Sequence, residues 1–118
     1  MDEFKIETEA GQSSTIVRIT GALTLTTLFD FQNALRREAS AITIIDLSAV
    51  PYIDSAALGS LLGFHVSCEQ KGRRYALAGT SQRLEGIFQV TRVDKMLLRF
   101  PTVEEAVERL EASAAPGN

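Results

Sequence analysis

The fold is decided by residues 41–63, which read AITIIDLSAVPYIDSAALGSLLG. The first part, Ala41 to Leu47, is a nearly continuous β-branched run of the kind that forms a strand covered on both faces. A loop containing Pro51 follows, and Asp54 is then a good N-cap for a helix that begins at about Ser55. The stretch therefore predicts a central strand, a loop and a helix.

The flanking segments continue this alternation of strands and helices. The predicted elements are strands near 4–8 and 16–19 joined by a turn at 11–14, a helix from 26 to about 39, a strand at 41–47, a helix from 55, a strand at 75–78, a helix around 84–90, a strand at 96–100 and a helix from 102. Repeated strand-helix-strand units require mostly parallel pairing with right-handed crossovers. The predicted fold class is α/β, with a mixed, mostly parallel sheet of about five strands and about four helices. Residues 1–112 are expected to form one domain, and residues 113–118 a flexible C-terminal tail.

The composition excludes several classes of function. The chain has 118 residues, 12 basic and 15 acidic side chains and a net charge of -3, so we expect no direct nucleic-acid binding. The densest basic stretch, Lys71 to Arg74, is typical of a turn after a helix. The amino terminus lacks the pattern of a signal peptide, and no apolar run approaches the roughly 20 residues of a membrane span. With Cys68 as the single cysteine, a cytoplasmic protein without membrane insertion is expected.

No catalytic or metal site is predicted. Ser55 lies outside a Gly-x-Ser-x-Gly motif, and the single histidine, His65, is ten residues further along the same predicted helix. One histidine and one cysteine cannot form a metal constellation. We therefore expect a protein that is not an enzyme, needs no cofactor, and packs Cys68 as a small apolar group.

Gly59 and Gly63 stand four residues apart on the helix that begins at Ser55. Close packing of the helix on the protein's own sheet is the favoured interpretation. The alternative is a tight contact with a partner helix, for which small residues leave room.

The pair Asp54-Ser55 is the most distinctive chemical feature of the chain. Unpaired amides point outward at the start of a helix and its macrodipole is positive there, so a phosphate on Ser55 would meet donors and a favourable field. Asp54 would oppose the phosphate by its charge. Phosphorylation adds about -1.5 to -2 charge units, which a partner docking on this small, apolar surface would detect.

The same junction resembles the signature of STAS domains. Here Asp54-Ser55-Ala56-Ala57-Leu58-Gly59 stands where that family usually has Asp-Ser-Ser/Thr/Ala-Gly-Leu-Gly. Upstream, Val17 to Leu23 resembles the family's strand ending in Gly-Glu-Leu-Asp, and Ile44 to Ser48 its central strand ending in Asp-Leu. Downstream, Val93-Asp94-Lys95 follows a stretch similar to the later strand and third helix. The resemblance spans about residues 4 to 112.

The resemblance implies a function as an anti-sigma factor antagonist. In such antagonists the serine after the aspartate, here Ser55, is phosphorylated by a partner that is both serine kinase and anti-sigma factor. Unmodified protein would bind that partner, phosphorylated protein would release it, and a phosphatase would reset the cycle. A weak homodimer is a further expected association. The implied partner-binding residues are Leu23, Thr24, Asp54, Ser55, Ala56, Ala57, Leu58 and Gly59.

The chain departs from the family pattern at three positions. Ala22 and Thr24 replace two carboxylates, and Ala57 replaces a glycine, whose added methyl is expected to hinder the approach of another backbone to Ser55. The alternative function is a STAS binding subunit of a lipid-transport complex or of a stress-sensing scaffold, without a phosphorylation switch.

Overall fold

The computed structural model describes residues 4–38 and 40–113. Within this part of the chain the elements are β1 (Lys5–Ala10), β2 (Thr15–Thr20), α1 (Leu28–Arg37), β3 (Ile42–Ala49), α2 (Ser55–Lys71), β4 (Arg74–Ala78), α3 (Gln82–Val90), β5 (Arg99–Phe100) and α4 (Val103–Ser113). One sheet has the strand order β1-β2-β3-β4-β5, in which β1 is antiparallel to β2 and the other neighbours are parallel. The predicted mixed, mostly parallel α/β sheet is confirmed.

The sheet separates two apolar layers, and β3 contributes to both. Ile45 and Leu47 of β3 pack with buried side chains of α1, α2 and α3 on one face. Ile42 and Ile44 pack with α4 on the other face. Successive strand residues point to opposite faces, so a strand covered twice needs an uninterrupted apolar run. This is why the β-branched stretch identified in the sequence lies at the centre of the sheet.

The ends of several elements differ from the prediction. The last strand is restricted to β5 because the carbonyl of Val93 accepts hydrogen bonds from the amides of Met96 and Leu97, at 3.0 and 3.2 Å, which turns the chain there. Helix α1 begins after residue 26 because Thr27 donates to the carbonyl of Thr24 in a turn. Ala39 of the predicted helix and residues 114–118 of the predicted tail lie outside the described residues, and Ser113 ends α4.

Helix α2 follows β3 and has a defined residue at each end. Asp54 is its N-cap, as predicted, and Gly72 ends it with a left-handed backbone, φ 68°, which glycine adopts without steric cost. The basic stretch at residues 71–74 spans the predicted turn, with Lys71 ending α2 and Arg74 beginning β4. Among the helices of the described residues, none has both the length and the apolar character needed to cross a membrane.

Candidate functional site

The loops that follow β2 and β3 lie side by side at the carboxyl ends of these parallel strands. The amide of Leu23, after β2, donates to the carbonyl of Tyr52, after β3, and the amide of Asp54 donates back to the carbonyl of Leu23, both at 3.0 Å. Leu23 and its bridge partner Ile53 are fully buried. The loop before α1 is therefore fixed against the start of α2.

Asp54 strengthens this connection through both oxygens of its carboxylate. Oδ1 accepts from the amide of Ala57 in the first turn of α2, and Oδ2 accepts from the amide of Leu25 in the loop before α1, each at 2.9 Å. The first bond is an N-cap, and the second joins two segments that are distant in sequence. Asp54 therefore supports the local architecture rather than offering a free acceptor.

Ser55 is the first residue of α2 and is exposed to solvent. Asp54 provides acceptors for the amides of Ala57 and Leu58, whereas the amides of Ser55 and Ala56 have no acceptor among the described residues. The first turn of α2 contains no acidic residue. An anion attached to Ser55 would thus meet two open donors and the positive end of the helix dipole.

Two exposed apolar side chains lie in the loops that meet at Asp54, next to this serine, and the sequence analysis did not include them in the partner-binding set. Leu25 is 65% exposed and Tyr52 is 38% exposed. We define the Ser55 surface as Thr24, Leu25, Tyr52, Ser55 and Ala56. In the sequence, the position of Leu25 could have been noticed because it is an apolar residue in a threonine-rich loop just before the apolar stripe of α1.

Arg83 borders the Ser55 surface, and a further exposed aromatic side chain lies near the start of α1. Phe29, near the start of α1, is 73% exposed and lies outside the buried stripe formed by Phe31 and Leu35. The guanidinium of Arg83 on α3 stacks over the Tyr52 ring, 5.2 Å from its centroid. Arg83 therefore places a cation near Tyr52 at the border of the Ser55 surface.

Three residues of the predicted partner-binding set have buried side chains. Leu23 and Ala57 are completely buried, and Leu58 is 5% exposed. Their side chains belong to the core, so they cannot form a docking face in this conformation. The predicted hindrance by the methyl of Ala57 is wrong for the same reason, because that methyl points away from the surface. Ser55 and Gly59 are exposed, while Thr24, Asp54 and Ala56 are partly accessible.

The interpretation of Gly59 and Gly63 as packing residues is also wrong. Apart from the adjoining residues and backbone of α2 itself, a methyl group placed on either glycine would meet no atom within 4 Å. Both residues are exposed and line a groove between α1 and α2.

The other chemically reactive residues of α2 have structural partners. Burial raises the pKa of Tyr75, whose hydroxyl therefore keeps its proton and can donate to Nδ1 of His65, 2.8 Å away. The other ring nitrogen of His65 lies 3.5 Å from the carboxylate of Glu69. Cys68 is buried, as predicted, and burial raises the pKa of its thiol. Within the described residues, no three His, Cys, Asp or Glu side chains are grouped in a way that could hold a metal ion.

Comparisons with known proteins concern the domain as a whole. The family model of the STAS domain matches residues 5–106. A Thermotoga neapolitana protein, provisionally named an anti-sigma factor antagonist, is 28% identical over 81 residues, which cover 69% of this chain and 71% of that protein.

Two solved structures have similar folds. The crystal structure of an anti-sigma factor antagonist from Mycobacterium paratuberculosis gives a TM-score of 0.81 at 19% identity, covering 92% of this chain and 95% of that one. The phosphorylated form of the Bacillus cell fate determinant SpoIIAA gives a TM-score of 0.66 at 21% identity, covering 92% of this chain and 99% of that one. At these identities the likeness establishes the fold.

Proposed function

The chain belongs to the STAS domain family, and we propose that it is an anti-sigma factor antagonist controlled by phosphorylation of Ser55. The unmodified chain binds an anti-sigma factor and so regulates transcription indirectly. The same partner, acting as a serine kinase, phosphorylates Ser55 and is released, and a phosphatase restores the unmodified chain. Ser55 is thus the substrate of another enzyme, and the chain itself performs no catalytic step.

The exposure of Ser55 at the first position of α2 is the observation that carries this proposal. A kinase must reach the hydroxyl oxygen, and a partner must contact the same point in order to sense its modification. Both requirements are met when the serine lies at an exposed helix start. The names of the relatives in the Thermotoga and Mycobacterium comparisons support the choice of an anti-sigma factor as the partner.

The charge change at the Ser55 surface provides the physical basis for release. Phosphorylation brings about -1.5 to -2 charge units to the Ser55 surface, which also carries the exposed side chains of Leu25 and Tyr52. Burying these side chains against a partner would then also require desolvation of the phosphate, which is costly unless the partner supplies a cation. Asp54 adds like charge beside it. The open amides of Ser55 and Ala56 stabilise the phosphate in the free chain, which further favours the released state.

A binding experiment with matched variants tests this function. The purified anti-sigma factors of the host organism are titrated by calorimetry with the native chain, Ser55→Ala and Ser55→Asp. We expect one of them to bind Ser55→Ala about as tightly as the native chain, and Ser55→Asp at least about tenfold more weakly. Ser13→Asp is the control, because it adds the same charge in the exposed turn between β1 and β2.

Equal affinities of Ser55→Ala and Ser55→Asp would contradict the switch. A permanent, equimolar complex with a transporter or scaffold subunit, unaffected by either variant, would instead favour the alternative function as a binding subunit.

A further inference from the structure

A groove of about 500 Å³ runs between α1 and α2. It begins at Ala56, beside Ser55, and reaches Lys71 in the last turn of α2. These two residues are fifteen positions apart, so the groove follows α2 for roughly 20 Å at the usual helical rise. A contact along this groove would therefore extend from the Ser55 surface to the opposite end of the helix.

The α2 wall of the groove carries two glycines that the fold does not require. A glycine inside a helix costs about 0.5–1 kcal/mol relative to alanine. Neither Gly59 nor Gly63 has a neighbour that an added methyl would touch within 4 Å, so alanine would fit at both positions. The absence of side chains instead leaves the backbone of α2 open to close approach from outside, which is the arrangement that closely packed helices use.

The charges lining the groove have one sign. Arg36, Lys71 and Arg73 contribute to its walls, and no acidic residue lines it among the described residues, although the chain carries a net charge of -3. Arg73 donates to the carbonyls of Glu38 and Ser40. Arg36 and Lys71 are exposed and form no ion pair or hydrogen bond within the described part of the chain. The end of the groove that is distant from Ser55 is therefore complementary to an acidic group.

We infer that this groove binds an amphipathic helix of the anti-sigma factor, with an acidic side chain of that helix against Arg36 and Lys71. Both walls are helices, whose inner backbone groups are already bonded, so the groove cannot pair with an extended strand but can receive a row of side chains. A length of roughly 20 Å corresponds to about four helical turns. The inference rests on the proposed function, because the partner that supplies the helix is the one released by phosphorylation of Ser55.

Variants that fill the groove or reverse its charge test the inference by calorimetry with the purified anti-sigma factor. Gly63→Leu places a side chain in the groove, and Gly86→Leu is its control, since Gly86 of α3 also faces open space but lies outside the groove. We expect about a tenfold or greater loss of affinity for Gly63→Leu and little change for Gly86→Leu. Urea unfolding should show that neither variant is less stable than the native chain, because leucine favours a helix over glycine.

The charge-reversed double variant Arg36→Glu/Lys71→Glu should also bind about tenfold or more weakly. Its control is Arg92→Glu/Lys95→Glu, which makes the same change in net charge at two exposed positions outside the groove.

The position of the bound helix is tested by thiol labelling. Gly63→Cys introduces a thiol in the groove, and Val66→Cys introduces one on an exposed part of α2 that does not line it. The native Cys68 is buried and gives only slow background labelling. The anti-sigma factor should slow the labelling of Gly63→Cys by about tenfold or more and leave that of Val66→Cys unchanged.

The outcomes separate this inference from the proposed function. If Ser55→Asp weakens binding while the groove variants bind normally and Gly63→Cys is not protected, the groove inference is wrong and the function stands. Protection of Gly63→Cys by increasing concentrations of the chain itself, and not by the anti-sigma factor, would assign the groove to a second copy and overturn the inference. If no anti-sigma factor of the host binds the native chain, both fail.

Discussion

At the scale of single residues, Asp54 accepts hydrogen bonds from two backbone amides that belong to different segments. One bond begins α2 at Ala57, and the other holds Leu25 beside that helix. A residue that looks like a simple N-cap in the sequence therefore also positions an exposed apolar side chain of the Ser55 surface.

We expect the stability of Asp54 variants to follow the number of amides that they satisfy. Asp54→Asn keeps one carbonyl acceptor and should be intermediate, while Asp54→Ala leaves both amides without a partner and should cost about 1–3 kcal/mol. Urea unfolding monitored by circular dichroism should give a free energy of unfolding that falls from the native chain to Asp54→Asn and again to Asp54→Ala. A free energy of unfolding for Asp54→Ala equal to that of the native chain would mean that these bonds contribute nothing.

At the scale of elements, a polar network joins α3 to the short edge strand β5. Thr80 and Arg99 both donate to Oε2 of Glu85, each at 2.6 Å. Arg99 also lies over the Phe88 ring at 5.8 Å. Since β5 has two residues and pairs only with β4, these side-chain contacts add to the few backbone bonds that hold it in the sheet.

This network predicts a pH dependence of stability. Burial alone would raise the pKa of Glu85, but the hydrogen bonds from Arg99 and Thr80 and the charge of Arg99 outweigh it and lower the pKa. Because the folded-state pKa lies below the unfolded-state value, the carboxylate stabilises the fold above the ordinary carboxyl pKa. This contribution is lost as the pH falls through the folded-state pKa.

When the pH is lowered from about 7 to about 3, we therefore expect the free energy of unfolding to fall less for Glu85→Gln than for the native chain. Urea titrations at both pH values provide the comparison. Glu108→Gln, an exposed substitution on α4, serves as the control and should behave like the native chain. If the free energy of unfolding falls equally for Glu85→Gln and the native chain, Glu85 does not contribute to the acid sensitivity of the fold.

At the scale of the whole molecule, the Ser55 surface lies outside the two cores, so a charge added there should change binding without unfolding the chain. Ser55→Asp adds an acidic residue to a first turn that has none, a favourable dipole interaction of about 0.3–1 kcal/mol that the charge of Asp54 opposes. We expect a free energy of unfolding within about 1 kcal/mol of the native value, measured by urea unfolding. A larger loss would indicate that weakened partner binding reflects damage to the fold.

The sequence predicted those features that depend on local pattern. The buried strand β3, the cap at Asp54 and the turn after α2 follow from runs, spacings and residue types. It did not predict which side of α2 faces the sheet, because small residues occur on both sides and Ala57 is buried whereas Gly59 is open. It also missed Leu25, whose place beside Asp54 depends on a contact between residues far apart in the chain.

The most direct test compares two forms of the native sequence that differ only by one phosphate. The chain is produced unmodified and with phosphoserine incorporated at position 55, and the dissociation constant of each for the anti-sigma factor is measured by calorimetry. The phosphorylated chain is expected to bind at least about tenfold more weakly, because its partner would have to bury the added charge. Equal dissociation constants would contradict the account.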